Sequence, residues 1–99
     1  MIDRDDSIEI LTRNRSALQS RGVRRAAIFG SVARGEATAA SDLDILIEID
    51  PAVRMTIFDY VGVKRAIAAL FPCKTDVVDA AALKPGLDRS AERDAVYAF

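Results

Sequence analysis

Residues 26–49 read AAIFGSVARGEATAASDLDILIEI, in which two apolar runs flank a small, polar segment. The first run, Ala26–Phe29, ends at a glycine and is typical of a short buried strand. The second, Leu43–Ile49, is rich in isoleucine and leucine and stops before a proline, which predicts a second strand. Ser31–Gly35 is expected to form a tight turn with one helical turn. Residues 36–41 are expected to form a loop.

Helices are predicted on both sides of this stretch. Asp6, followed three residues later by Glu9, is typical of a capping box that opens a first helix, and Gly22 stands where that helix would stop. Thr56 is expected to cap a second helix. Its core-facing side is predicted to consist of Ile57, Tyr60, Val61, Ile67, Leu70 and Phe71.

The last third of the chain predicts a third strand over Thr75–Asp79, a short helix after Pro85 and an extended edge over Val96–Phe99. Strands and helices therefore roughly alternate, without a repeat or a linker. The expected fold class is α/β (α+β), with helices packed on a small mixed sheet. We expect residues 1–99 to form a single domain.

The composition excludes several classes of function. The 99 residues are 51% hydrophobic and carry a formal net charge of −1, so a core is expected and nucleic acid is disfavoured as the main partner. Histidine is absent, which excludes Ser-His-Asp and Cys-His catalysis. Cys73 is the one cysteine, so a reducing cytoplasm is the expected compartment. No run approaches the roughly 20 apolar residues of a membrane span.

Two carboxylates stand two residues apart at the start of the second strand, Asp42 and Asp44. Because side chains alternate along a strand, both point to the same face and can share a hard divalent cation such as magnesium. For an isolated Asp-x-Asp the commoner interpretation is a capped loop and a solvated side chain. Here Leu46 shares their face, which indicates partial burial.

The sequence Gly30-Ser31 directly follows the first strand. Glycine lets the backbone approach a phosphate closely, and the amides of the following turn and the Ser31 hydroxyl can donate to an anion. Arg34 could reach the same phosphates. A phosphate turn about ten residues before an aspartate pair would hold a triphosphate against its cation.

The whole pattern, Gly-Ser-x-Ala-Arg-Gly-x5-Ser-Asp-x-Asp over residues 30–44, resembles the signature of the nucleotidyltransferase superfamily related to DNA polymerase β. In detail it is similar to the minimal nucleotidyltransferases (MNT) of bacteria and archaea, whose whole chain has about this size. The similarity extends over nearly the full chain and implies a polymerase β-like palm.

The resemblance also implies a two-magnesium site with a third carboxylate on a later strand. Asp42 and Asp44 would bind both ions, and Asp76 would help to hold the catalytic ion and orient or deprotonate the acceptor hydroxyl. Asp79 remains a rival for the third position. The implied nucleotide-binding residues are Gly30, Ser31, Arg34 and Ser41.

By the same resemblance, the expected reaction transfers AMP from ATP to a hydroxyl, with a tyrosine of a partner HEPN-family toxin as acceptor in a toxin–antitoxin pair. Two alternatives remain open at this point. One is an inactive antitoxin that neutralises the toxin by binding. The other is a nucleotidyltransferase that acts on a small molecule or an RNA end. The oligomeric state, homo- or hetero-oligomer, is left open as well.

Overall fold

A computed structural model describes residues 2–82 and 93–99. Four strands form one sheet in the order β3-β2-β1-β4. β1 is antiparallel to β2 and to β4, and β2 is parallel to β3. The elements are α1 (Arg4–Arg13), α2 (Arg15–Ser20), β1 (Val23–Phe29), α3 (Gly30–Ala33), β2 (Leu43–Ile49), α4 (Ile57–Ala68), β3 (Thr75–Asp79), a 3-10 turn (Ala80–Ala82) and β4 (Val96–Tyr97).

The second strand lies inside the sheet and has two different faces. Leu43, Ile45 and Ile47 are at most 1% exposed and belong to the core. Asp44 and Glu48 point to the opposite face and are half-buried. The predicted bounds of β2 and its alternation are therefore confirmed.

The first helix begins earlier than the sequence analysis predicted. Its N-cap is Asp3, whose carboxylate accepts a hydrogen bond from the Asp6 amide at 2.8 Å. The predicted capping box at Asp6 is wrong because the earlier aspartate already caps the first turn. Asn14 separates α1 from α2, and the second helix ends before Gly22.

The cap of α4 is as predicted, and its buried side is so only in part: Ile67 is buried as expected, and so is Phe71 just after the helix. Thr56 forms a full capping box with Asp59. The buried residues are Val63 and Ile67, whereas Ile57 is 70% exposed. At 100° per residue Ile57 stands about 80° away from Ile67 around the helix, so it misses the buried stripe.

The exposed side of α4 carries an apolar patch. Its members are Ile57, Phe58 and Val61, and Phe58 is 85% exposed. Val61, like Ile57, was expected to face the core and does not.

Of the remaining strands, β3 has the predicted bounds, whereas β1 begins three residues before the predicted Ala26 and β4 ends two residues before the predicted Phe99. β3 covers Thr75–Asp79, and β4 pairs Tyr97 with Ala27 at the edge of the sheet. The helix predicted after Pro85 falls outside the described residues. Within residues 2–82 and 93–99, no helix combines the length and apolar character needed to cross a bilayer.

Candidate active site

A tight turn connects β1 to the polar loop and abuts β2. α3 begins at Gly30, which has a φ of +73°. A Cβ atom at this position would overlap with the carboxylate of Asp44. The position therefore needs glycine for two reasons, a left-handed backbone and a close approach to a charged side chain.

The sheet register brings the predicted carboxylates together. Asp44 is paired with Phe29 of β1 on one side and with Asp76 of β3 on the other. Paired residues of neighbouring strands point to the same face and lie about 4.8 Å apart. Asp42 precedes the strand by one residue and is exposed. The site thus lies at one end of the sheet, where β1 ends and β2 and β3 begin.

Asp79 lies on the other face. Its register partner is Ile47, a core residue, and its Oδ1 accepts a hydrogen bond from the Ala81 amide at 3.0 Å. Burial, followed by the charge of Asp79, raises the pKa of the Tyr60 hydroxyl, which places Asp79 next to α4. Geometry therefore favours Asp76 as the third carboxylate of the site, and its chemical role stays a prediction.

The carboxylates are poorly neutralised by the protein itself. Burial and the neighbouring charges of Asp76 and Asp42 raise the pKa of Asp44. Lys74 approaches Asp42 at 3.9 Å, but its side chain is 85% exposed and its charge is screened by water. A half-buried carboxylate whose pKa is raised by burial and by neighbouring carboxylates is suited to share a hard divalent cation with them.

The donor set fits magnesium better than calcium. In the described part of the chain, no three carboxylates are close enough to enclose an ion by themselves. Magnesium is commonly held by one or two carboxylates together with substrate phosphates and water. Asp44 with Asp76 or Asp42 provides such a partial set next to the Gly30 turn.

Two further predicted nucleotide-binding residues, Arg34 and Ser41, form hydrogen bonds within the protein. Arg34 donates from Nε to Glu36 at 3.1 Å and from Nη1 to Asp94 at 3.0 Å. These carboxylates raise the pKa of the guanidinium. Ser41 accepts a hydrogen bond from the Thr38 amide at 2.9 Å and so shapes the loop. Direct binding of nucleotide by Arg34 or Ser41 stays a prediction.

Sequence reasoning missed Glu36 and Asp94 as partners of Arg34. Glu36 gave a weak signal, because it follows Arg34 by two residues. Asp94 gave none, because its approach depends on how β4 pairs with β1. Ile28 pairs with Val96, and Gly30 and Asp94 stand two residues beyond that pair. The pairing of β4 with β1 therefore positions Asp94 beside the Gly30 turn.

Comparisons with known proteins agree with this geometry. The family model of the nucleotidyltransferase domain matches residues 8–98. The protein adenylyltransferase MntA of Thermococcus cleftensis is 32% identical over 98 residues, which cover 98% of this chain and 97% of that protein. A solved structure described as a candidate minimal nucleotidyltransferase is 34% identical, with a TM-score of 0.69, and the match covers 96% of this chain and 95% of that one.

A more distant structure shares the fold. It is a chain of the complex between a tri-AMPylated HEPN toxin of Shewanella oneidensis and an MNT antitoxin. The identity is 14%, the TM-score is 0.62, and the match covers 93% of this chain and 71% of that one. The close approach of the Gly30 turn to Asp44, the register of Asp44 with Asp76 and the family match lead to one conclusion: the chain belongs to the nucleotidyltransferase family and is an enzyme of that family.

Proposed function

We propose that this chain is a magnesium-dependent protein adenylyltransferase that transfers AMP from ATP to a tyrosine hydroxyl of a HEPN-family toxin. The observation that carries the proposal is the contact between the Gly30 turn and Asp44, together with the pairing of Asp44 with Asp76. This arrangement supports the proposal because the backbone amides of such a turn can donate to phosphates and the adjacent carboxylates can hold a cation. The adenylyltransferase name of the Thermococcus relative and the AMPylated toxin in the Shewanella complex support the donor and the acceptor.

Each site residue has a role in this reaction. Asp42 and Asp44 would hold magnesium, and Asp76 would help to hold the catalytic ion. Two bound magnesium ions supply charge neutralisation on the triphosphate and a lowered pKa of the acceptor hydroxyl. The backbone amides that follow Gly30 and the Ser31 hydroxyl bind the β- and γ-phosphates.

The chemical step is an in-line displacement. The acceptor oxygen forms a bond to the α-phosphorus, the bond between that phosphorus and the α–β bridging oxygen breaks, and pyrophosphate leaves. Asp76 is paired with Asp44 and is exposed to solvent, so its carboxylate can orient the acceptor hydroxyl and accept its proton. The single cysteine fits a reducing cytoplasm as the compartment of the reaction.

The test is transfer of label from ATP labelled at the α-phosphate to a purified HEPN-family toxin, with pyrophosphate release measured in parallel. The Asp42→Asn/Asp44→Asn double variant is expected to lose about 10³-fold in rate, because two cation ligands are removed. Asp5→Asn is the matched control, since its side chain is 92% exposed and lies on α1.

Metal-dependent label on a toxin tyrosine that is lost only in the double variant supports the proposal. Tight toxin binding without label, equal in both variants, would leave a binding antitoxin. Label transferred to RNA or a small molecule, and never to protein, would contradict the acceptor assignment.

A further inference from the structure

The side chain of Arg34 is hydrogen-bonded to two carboxylates that differ in solvent exposure. Nε donates to Glu36 and Nη1 donates to Asp94, at 3.1 and 3.0 Å. The Glu36 side chain is 66% exposed, whereas that of Asp94 is 25% exposed. Because an exposed ion pair is weakened by water, the contact with Asp94 constrains the guanidinium more strongly.

This constraint acts at the edge of the phosphate turn. Arg34 directly follows α3, and its amide donates to the Gly30 carbonyl at 3.1 Å. Asp94 reaches the same place from the far end of the sequence through the pairing of β4 with β1. The guanidinium also acts electrostatically on Asp44, so it lies within range of the cation ligands.

The hydrogen-bonding capacity of Arg34 is only partly used. A guanidinium has five N–H donors, and the two contacts with carboxylates occupy one on Nε and one on Nη1. Within the described residues, the other donors, including both on Nη2, make no hydrogen bond to a side-chain acceptor. A planar group fixed along one edge presents its other edge in a defined orientation, which suits the bidentate recognition of phosphate.

We propose that Asp94 is a positioning residue, which fixes the Arg34 guanidinium so that its uncommitted N–H donors meet the β- and γ-phosphates of the nucleotide. This inference rests on the proposed function, since it assumes that the turn binds a triphosphate. An arginine that is already ordered loses little side-chain entropy when the nucleotide binds, so loss of Asp94 weakens binding about three- to tenfold.

The experiment measures binding of a fluorescent β,γ-imido analogue of ATP to the purified full chain in magnesium. Asp94→Asn is expected to raise the Kd about three- to tenfold and to change kcat by less than about twofold at saturating ATP. Asp94→Glu restores the carboxylate and is expected to recover part of the affinity. Glu9→Gln is the matched control, because Glu9 forms a similar ion pair with Arg13 at 3.1 Å on α1.

A double-variant cycle with Arg34→Ala separates positioning from a general effect on the fold. In the Arg34→Ala background, Asp94→Asn should cause no further loss of affinity, since the group that it positions is gone. Thermal unfolding of every variant checks folding. If Asp94→Asn does not fold, Asp94→Ser takes its place in the same cycle.

Three outcomes would overturn the inference and leave the proposed function intact. Nucleotide affinity of Asp94→Asn equal to that of the wild type shows that the contact positions nothing. Tighter binding shows that Asp94 withholds Arg34 from the nucleotide. An undiminished loss in the Arg34→Ala background shows that Asp94 acts through β4 instead. A wild-type chain that binds no nucleotide would overturn the proposed function as well, so the two failures are distinguishable.

Discussion

Comparing Gly30 with Gly35 allows the close approach of Asp44 to the turn to be tested separately from the left-handed backbone of the turn. Both have a φ of +73°, so alanine at either position meets the same left-handed penalty of about 1–2 kcal/mol. Among the residues that the structure describes, a Cβ at Gly35 has no neighbouring atom within 4 Å, whereas a Cβ at Gly30 overlaps with the Asp44 carboxylate. Gly30→Ala must therefore displace that carboxylate, and Gly35→Ala leaves it in place.

We expect the two variants to resemble each other in stability and to differ in activity. The Asp44 carboxylate is the free end of a side chain and can rotate away, so each variant should lose about 1–2 kcal/mol of unfolding free energy. A displacement of about 1 Å near the reacting groups costs about 100-fold in rate, so Gly30→Ala should lose about that much AMP transfer, and Gly35→Ala about threefold or less.

Urea unfolding followed by circular dichroism gives the free energies, and single-turnover transfer from labelled ATP gives the rates. In an Asp44→Ala background the overlap is absent, and the two glycine substitutions should cost the same free energy within about 0.5 kcal/mol. Equal activities of Gly30→Ala and Gly35→Ala, whether high or low, would refute the reasoning, because the approach of Asp44 would then have no consequence.

Three further predictions follow from the same geometry. Asp76→Asn should lower kcat about 100-fold or more and Asp79→Asn about threefold or less in the transfer assay, and the reverse order would exchange their roles. Burial and neighbouring carboxylates raise the pKa of Asp44, so its ionised form destabilises the metal-free fold as the pH rises through that pKa. Near neutral pH, Asp44→Asn should therefore have a higher thermal midpoint than the wild type when no metal is bound. This difference should disappear below the usual aspartate pKa of about 3.9. An unchanged midpoint at all pH values would contradict the raised pKa of Asp44. Thr56→Ala should cost about 1 kcal/mol by removing the α4 cap, measured by urea unfolding, whereas Thr12→Ala, on the exposed side of α1, should cost about 0.5 kcal/mol or less.

The inner strands could be predicted from sequence because local patterns determine them. β2 and β3 have the predicted bounds, Leu43–Ile49 and Thr75–Asp79. In both, β-branched and aliphatic residues are bounded by residues that disfavour strands, so the signal does not depend on distant parts of the chain. The assignment of Asp42 and Asp44 to one face followed from the same alternation.

Other features could not be predicted because the local sequence offers several equivalent residues for the same structural role. The N-terminus offers several aspartates able to cap a helix, and only the folded structure shows that Asp3 takes this role. α4 contains more apolar residues than one stripe can bury, which is why Ile57 was assigned to the core although it is exposed.

Long-range pairing accounts for the parts of the site that sequence could not provide. The proximity of Gly30 to Asp44 requires the register of β1 with β2. The contact of Arg34 with Asp94 joins residues 60 positions apart and requires β4 at the sheet edge. The spacing of the motif therefore predicted which side chains form the candidate site, whereas the strand pairing determines how these side chains are positioned.

The strand order β3-β2-β1-β4 also has a consequence for how the chain matures. The two central strands, with the Gly30 turn and its two nearby aspartates, are synthesised before both outer strands. Those outer strands bring Asp76 and Asp94, and their pairing spans long stretches of sequence, which makes it slow. A nascent chain can thus contain the proposed nucleotide-binding motif well before the complete site exists. Enzyme activity should then appear only after β3 and β4 have both paired with the central strands. Activity can therefore be used to measure the completion of folding.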